Sequence, residues 1–559
     1  MDIETARLLC ENLIDRLVLD PATGQYRLDG AVTIKEHEAL RVVLLSPEDR
    51  SKIVPLPRVL TEESRPSKST ETTDSSIAAP VVRTELSINK ACLSIKPERD
   101  VVGCVDFGTA YSKAAFWRAG ASSPIPLDLS QAATGTSGFI LDSSIYISGD
   151  LLHFGANALD ANRRENDLDR ERFDSPKEWL SSGHLEDIER EHLTVAIDPS
   201  RKFSPGDLLR LYLAYLTCMM GNRLNAQGIS PYLPKRFAVP VWRGHQLETG
   251  SALLRTMLVD AQLISDSIDP SAWHNGFNIE LASGVLRAIK NIPEAEKIAA
   301  PFIDRRVTEA TAAASGISDH ISNQRPRVVV VDIGAGTCDF GAYQFVLPRD
   351  EQPRVAPFIG TERAIKQAGN RLDDFLVTDI IRASGTDPNS DSGRRISKHV
   401  RRDIRPLKQT LFADGQVRVQ VPDYLDITIS RDDFVESPHV VRFVETFRTT
   451  FIETVLAAAG NFFESGVKKY VVFTGGGAGL PMIRDLFDAP LQTPSGSVYF
   501  QRLDPTPTWV SGFSADVRDL FPQLAVSTGG CSPDLPEERS GIRDAMIAPR
   551  RIIQPILKG

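Results

Sequence analysis

VVVVDIGAGTCDFGAYQF, Val328 to Phe345, opens with four valines, passes through an acid into a glycine turn, and returns as a second apolar run. A short run of β-branched residues bounded by glycine reads as a buried strand, and the two runs together as a β-hairpin. Asp332 and Asp339 sit inside it, around Gly334, Gly336 and Thr337. Carboxylates are costly in a core strand unless something pairs with them. Taken alone, the pattern is an ordinary turn with odd punctuation or half of a phosphate site.

The chain repeats the pattern. VVGCVDFGTAYSKAAFW, Val101 to Trp117, again runs apolar strand, Asp, apolar residue, Gly, small residues with Thr, then strand. A third turn, YVVFTGGGAGLPMIRDLF (Tyr470 to Phe487), is a strand, Gly475-Gly476-Gly477, and a helix predicted to begin near Pro481. Proline suits a helix start because its missing N–H would have had no partner there.

Glycine turns after strands can aim backbone N–H groups at phosphate oxygens, with no Cβ in the way. Acids beside a bare phosphate repel it, so a divalent cation between them is expected. Magnesium fits, since it keeps several waters and needs few carboxylates. Asp106 and Asp332, equivalent in the two hairpins, are the natural pair, and Thr109 and Thr337 could bond the phosphates or a water. A single Asp-x-Gly is usually only a turn. Seen twice with a following Thr, beside a triple glycine, it argues for phosphate. The chain has no G-x-x-x-x-G-K-[ST], and no early βαβ unit carries G-x-G-x-x-G, so neither a P-loop nor a dinucleotide fold is expected.

The bulk numbers are those of a multidomain globular protein. At 559 residues the chain is too long for one core, and 42% hydrophobic with 25% charged residues argues against general disorder. A net charge of −9 makes nucleic-acid binding unexpected. The six cysteines lack C-x-x-C spacing, which fits reduced thiols, and the acidic start MDIETARLLCENLIDRLVLD does not resemble a signal peptide. No uncharged apolar run nears the roughly 18 residues of a membrane span. A cytoplasmic protein that does not enter a membrane is expected.

Five regions are expected. Residues 1–54 form a small N-terminal α+β unit, with Leu8, Leu9, Leu13 and Leu17 at helical spacing and Thr33 with Glu36 resembling a capping box. Residues 55–85 form a Pro/Ser/Thr-rich linker. Residues 86–316 and 317–530, each opened by one of the hairpins, alternate strands and helices as two lobes, and residues 531–559 form a tail.

These motifs resemble those of the actin-like ATPase superfamily, and within it the DnaK-type heat-shock protein 70 chaperones. DFGTAYSK (Asp106 to Lys113) is similar to the family's first phosphate motif. DIGAGTCDF (Asp332 to Phe340) is similar to the second, with Ala335 for its middle glycine. VTEATAAASG (Val307 to Gly316) resembles the connecting helix, with Ala310 for proline, and TGGGAGLPMI (Thr474 to Ile483) the adenosine motif. Weaker likeness in LHFGANALD, FDSPKEWL and IKQAGNRLDDFL extends the match, in order, over about residues 100 to 530.

The resemblance implies an α/β actin-like ATPase fold: two duplicated ribonuclease-H-like lobes around a cleft for ATP or ADP with magnesium. Gly108, Thr109, Ala110 and Tyr111 would form the first phosphate loop. Gly334, Ala335, Gly336, Thr337 and Asp339 would form the second. Gly369, Gly475, Gly476 and Gly477 would approach the sugar and phosphates, with Lys408 beside the adenosine. Asp106 and Asp332 would hold magnesium through water. Lys177, Glu309, Asp332, Thr337 and Asp339 would carry hydrolysis.

The likeness thins on the adenosine side. Arg405, Gln409 and Phe412 stand where the family has an acid, an arginine and a serine, and Gly479 where it has an arginine. Residues 265–300 read as an added element. The chain ends soon after the ATPase region, leaving no room for the chaperones' peptide-binding domain and lid. The function expected is a chaperone-like ATPase whose lobe closure regulates a protein partner reached through the N-terminal unit, the added element or the tail. A low-turnover nucleotide scaffold and an actin-like filament former are the alternatives, with a small-molecule kinase behind them. The basic run RRISKHVRRDIR (Arg394 to Arg405) reads as a solvated helix face, with an acidic partner as the minority reading.

Overall fold

The computed structural model describes residues 87–536 apart from short interior stretches, and two strands nearer the N-terminus. The chain divides into two compact units, Met1–Arg83 and Thr84–Gly559. In the first, Leu17–Leu19 pairs antiparallel with Tyr26–Leu28. Leu17, whose spacing suggested a helix, therefore opens a strand. The linker, the capping box and the tail beyond Pro536 lie outside the described residues.

The second unit is mixed α/β and carries its main architecture twice. The first sheet holds β1 (Val101–Asp106), β2 (Tyr111–Arg118), β3 (Ile125–Pro126), β4 (Lys235–Val239) and β5 (Ile303–Thr308), in the order β3-β2-β1-β4-β5. Helix α1 (Glu309–Gly316) follows. The second sheet holds β6 (Arg327–Ile333), β7 (Cys338–Val346), β8 (Arg354–Pro357), β9 (Lys469–Thr474) and β10 (Gln501–Leu503), in the order β8-β7-β6-β9-β10, with helix α2 (Ala515–Gly530) after it. Each opens with an antiparallel hairpin, β1 with β2 and β6 with β7. Each then adds two parallel strands beside the first, β4 and β5 or β9 and β10. The two lobes share one topology.

The alternation of strand faces explains the odd acids. In β6, Val329, Val331 and Ile333 enter the second lobe's own core, while Val328 and Val330 join a core shared with the first lobe. Asp332 has the parity of Val328 and Val330, so it ends the shared face. In β1, Val101 and Val105 enter the first lobe's core and Cys104 the shared one, which gives Asp106 the same outlook. Both carboxylates thus stand where the shared apolar core stops. Every residue of β6 is buried, as a central strand covered on both faces requires.

The two helices that follow the sheets exchange places. α1 leaves β5 and packs on β6, β7 and β8, while α2 leaves β10 and packs on β1, β2 and β4. Their crossing is too close for larger side chains. A Cβ on Gly529 would come 1.9 Å from the Ala312 carbonyl oxygen, and one on Gly316 2.7 Å from that of Ala525. Substituting either glycine separates the helices, because backbone cannot yield as a flexible side chain can.

The element expected at residues 265–300 is built into the first lobe. Phe277 pairs with Leu152 of a small sheet, and Trp273 is buried edge-on to Phe154 at 5.4 Å. Helix Ile279–Lys290 buries Ala282, Val285, Leu286 and Ile289. Burying such side chains stabilises by about 1.5–3 kcal/mol each, so the element is part of the core rather than a projecting arm. Among the described residues no helix is long and apolar enough to cross a membrane.

Candidate functional site

The three glycine turns converge on one cavity of about 410 Å³ between the lobes. That lies within the ordinary size of small-ligand pockets. The hairpin tips face each other, since a Cβ on Gly336 would come 2.7 Å from Thr109 Oγ1. The third turn is tied to the second hairpin, with Gly477 N–H donating to the Ile333 carbonyl at 2.9 Å. Gly475 N–H donates to the Pro522 carbonyl of α2 at 2.7 Å. Gly475 has φ +81°, and a Cβ there would come 2.5 Å from the Ile333 oxygen and 2.9 Å from Asp332 Oδ1. A Cβ on Gly476, in contrast, would meet nothing closer than 3.9 Å. Gly475 and Gly477 thus build the turn, and Gly476 leaves room in the cavity.

Sixteen of the eighteen residues singled out from the sequence line this cavity, among them Asp106, Gly108, Thr109, Ala110 and Tyr111 from the first hairpin. Lys177, Glu309, Asp332, Gly334, Ala335, Thr337, Gly369, Lys408 and the triple glycine complete them. Gly336 and Asp339 do not line it. Gly336 makes the loop-to-loop approach, and Asp339 is wholly buried behind the turn. Thr337 Oγ1 donates to Asp339 Oδ2 at 2.5 Å, and Val241 N–H of the first lobe donates to Asp339 Oδ1 at 2.8 Å. Asp339 therefore reaches the cavity only through the Thr337 hydroxyl.

The glycine-turn end is crowded with charge. Lys177, buried at the start of helix Lys177–Ser181, pairs with Glu309, the first residue of α1. Burial opposes the Lys177 charge, but Glu309, Asp106 and Asp339 outweigh it and hold the ammonium's pKa above its ordinary value. Lys113 Nζ donates to Asp106 Oδ2 at 3.0 Å, and Thr474 Oγ1 to Asp332 Oδ1 at 2.9 Å. Burial, reinforced by Glu309 and Asp106, pushes the Asp332 carboxyl up to about 7. Asp339 is pushed well above the usual carboxylate range by burial and by Glu309. The end therefore holds more carboxylate than the two lysines balance.

Among the described residues no group of three or more His, Cys, Asp or Glu could hold a metal ion. Asp106 is the last residue of β1 and Asp332 the last but one of β6, so a cation between them would take most of its ligands from water and phosphate, as magnesium does. The uncompensated charge and the raised Asp332 fit such a cation.

Another wall of the cavity is built by helices Gly369–Ala383 and Ile404–Asp414. Gly369 and Asn370 N–H groups donate to the Gly334 and Ala335 carbonyls at 3.1 and 2.8 Å. A Cβ on Gly369 would come 3.2 Å from Ala335 Cα and 3.3 Å from the Gly334 carbonyl oxygen, so glycine here lets the helix start approach the loop backbone. Lys408 Nζ donates to the Gly369 carbonyl at 2.6 Å and pairs with Asp373 at 2.8 Å. Tyr111, Arg405, Gln409, Phe412 and Gln523 also line the cavity, with Gln523 beside Gly476. Gln523 was missed in the sequence because it lies in α2, far along the chain. Lys113 was missed as well, although hairpin register places it directly across from Asp106.

A bridge of polar contacts spans the lobes beside the cavity. Arg163 meets Asp403 at 2.6 Å, and Lys398 meets Asp169 at 2.7 Å. Arg172 Nη2 donates to the Arg402 carbonyl at 3.1 Å, and Arg402 to the Asp167 carbonyl. Asn370 Nδ2 donates to Ser175 Oγ at 3.0 Å and Glu178 Oε1 at 2.6 Å. The basic run Arg394–Arg405 is thus more than a solvated face. Part of it faces acids and carbonyls of the first lobe.

No known protein-family model matches the chain.

Proposed function

We propose that the protein is a chaperone-like ATPase of the actin-like fold, related to the heat-shock protein 70 nucleotide-binding domain, that closes its lobes on ATP to regulate a protein partner. The carrying observation is the convergence of three glycine turns, from two sheets of one topology, on a cavity holding buried Asp106, Asp332, Glu309 and Lys177. The turns would cradle the β- and γ-phosphates, and the shared core with its exchanged helices is a natural hinge.

The catalytic task is to position a water and neutralise charge. Lys177, fixed by Glu309, would hold the γ-phosphoryl oxygens. The Thr337 hydroxyl would align the water, whose proton passes through it toward Asp339 as the bond to the β-phosphate breaks. Glu309 lines the same space and would help orient that water. A divalent cation between Asp106 and Asp332 would offset the charge of the β- and γ-phosphates.

The experiment is phosphate release with saturating ATP and magnesium. Asp332→Ala and Asp106→Ala should each abolish turnover, and unchanged turnover in either sinks the assignment. Lys113 favours a second reading, a nucleotide-binding scaffold with little turnover. Its ammonium already pairs with Asp106, so a metal at that carboxylate must displace or share it. Tight ADP binding without phosphate release would select the scaffold. The partner would be reached through the N-terminal unit or the tail in preference to residues 265–300, whose apolar side chains are spent on the core.

A further inference from the structure

Arg405 stands where two cavities meet. It lines the site described above and a second cavity of about 320 Å³ beside it, also between the lobes. Tyr111, Asn370 and Asp373 share that border, and Arg405 is the cation among the four. Its guanidinium is held by Ser175 of the first lobe, whose hydroxyl accepts from Arg405 Nη2 and from Asn370 Nδ2, each at 3.0 Å. Ser175 has φ +58°, an uncommon conformation for a residue with a side chain, two positions before Lys177.

The second cavity is lined by five arginines and five acids, and most of them are matched. Arg172 pairs with Asp174 at 3.0 Å, Arg401 with Asp374 at 2.8 Å and Arg163 with Asp403 at 2.6 Å, while Asp373 is taken by Lys408 at 2.8 Å. Arg402 and Arg405 meet no carboxylate among the described residues. Arg402 donates to the Asp167 carbonyl, and Arg405 to Ser175. The acids left over, Asp142 and Glu178, are both pushed above the ordinary carboxylate range by burial, against the pull of Arg405. Acids that resist charge, beside two guanidiniums without carboxylate partners, leave the cavity receptive to an anion.

The helix indicates what carries that anion. Arg405, Gln409 and Phe412 recur at i, i+4 and i+7 of Ile404–Asp414, on one face, and all line the first cavity. At about 1.5 Å per residue, Arg405 lies about 10 Å from Phe412 along that face. With the 5′ phosphates on the glycine turns and the base at Phe412, the sugar falls between, and a group on its hydroxyls reaches Arg405 and the border of the second cavity. A guanidinium only donates hydrogen bonds, and its fork fits two oxygens of a phosphate better than one sugar hydroxyl. Resting on the nucleotide reading of the cleft, we propose that Arg405, with Arg402, binds a phosphate on the ribose, so that the site prefers a purine nucleotide phosphorylated on a ribose hydroxyl as well as at its 5′ end.

Calorimetry on the full chain with magnesium compares adenosine 5′-monophosphate, ADP, and the 2′,5′- and 3′,5′-bisphosphates of adenosine. One of the bisphosphates should bind at least about tenfold tighter than the monophosphate. Arg405→Gln should remove most of that gain and Arg402→Gln part of it, while Arg405→Lys should keep part. The ratio of ADP to monophosphate affinity, set at the glycine turns, should stay within about twofold in Arg405→Gln. Bisphosphates no tighter than the monophosphate in the unaltered protein, while ADP still binds, overturn the proposal and leave the nucleotide reading standing. A gain that survives Arg405→Gln in a folded protein overturns it as well. So does an equal loss in both ratios, which would make Arg405 a source of general positive field. If neither ADP nor the monophosphate binds, the nucleotide reading falls and this proposal with it.

Discussion

Gly336 and Thr109 stand at the tips of two equivalent hairpins from different lobes, so close that one added carbon on the glycine would come 2.7 Å from the threonine hydroxyl. The contact makes the spacing of the two hairpin tips a property of both lobes. Gly336→Ala should therefore push Thr109 aside, costing about 1–3 kcal/mol as overpacking does, and weaken nucleotide in step. Thr109→Ala in the same chain should restore the melting temperature and leave nucleotide affinity low. A double-mutant cycle on stability measures the coupling, and simple additivity would mean that the loops do not touch.

Lys177 and Glu309 form a buried pair whose members come from different segments of the first lobe's chain. Removing one leaves the other charged and alone, at about 3–5 kcal/mol. Lys177→Met should thus lower the melting temperature sharply, which by itself says nothing of catalysis. Lys177→Met with Glu309→Leu removes both charges and should recover most of the stability. Turnover should stay absent in the double variant. Hydrolysis returning along with stability would make the pair merely structural.

Much of this was legible because the pattern came twice. VVGCVD and VVVVDI each placed an acid at the end of an apolar strand, and repetition turned an anomaly into a site. Strand parity then explains which way Asp106 and Asp332 face, something the sequence held but which depends on knowing that the two sheets share a core. Lys113 needed only the hairpin register. The bridge made by Lys398 and Arg402 was not legible, since its acceptors lie about 230 positions away, Asp169 and Asp167 offering no local signal. Gly336 was legible as a loop residue but not as a contact, because nothing in GAGT names its neighbour.

On the ATPase reading, Asp332 should make nucleotide binding pH-dependent. Its carboxyl lies near 7 in the fold against an ordinary 3.8, raised by burial, Glu309 and Asp106. A raised acid favours the fold below 3.8, and that contribution is lost as pH climbs to about 7. The unliganded protein should therefore lose melting temperature between pH 5 and 7, and Asp332→Asn should flatten the decline. Magnesium needs the ionised form, so ADP–magnesium affinity should rise about tenfold per unit below pH 7 and level off above it. Calorimetry in buffers of different ionisation enthalpy should show a proton released on binding. A flat affinity profile from pH 5 to 8 would count against this carboxylate as the cation's neighbour.

The bridge across the cleft should act as a weak latch. Arg163–Asp403 is a half-exposed pair, worth roughly 0–1 kcal/mol, and Lys398–Asp169 is an exposed one that salt screens readily. Asp403→Asn with Asp169→Asn should then speed ADP release several-fold, up to about tenfold. Salt should speed release from the unaltered protein and have less effect on the variant. Stopped-flow displacement of a fluorescent ADP analogue reads both, and release rates indifferent to salt and substitution would show that the lobes open elsewhere.

On the ATPase reading, Phe412 should stack on the base. It lines the same cavity as Gln409 and Gln523 and is braced edge-on by Phe434 at 6.1 Å. An aromatic face accepts any purine, and a glutamine amide can present donor or acceptor by rotating. Sites with fixed polar partners discriminate by about 10⁴-fold or more, whereas this one should prefer ATP over GTP by less than about tenfold. Phe412→Ala should cost about 1–3 kcal/mol in affinity for either nucleotide and leave tripolyphosphate binding untouched. Gly479 offers the converse experiment. A Cβ there would meet nothing within 4 Å, so Gly479→Arg has room to enter and lay its guanidinium on the base. That variant should bind both purine nucleotides more tightly, by about 0.5–2 kcal/mol of cation–π attraction. If Gly479→Arg has no effect and Phe412→Ala weakens tripolyphosphate as much as ATP, the base does not lie between these two residues.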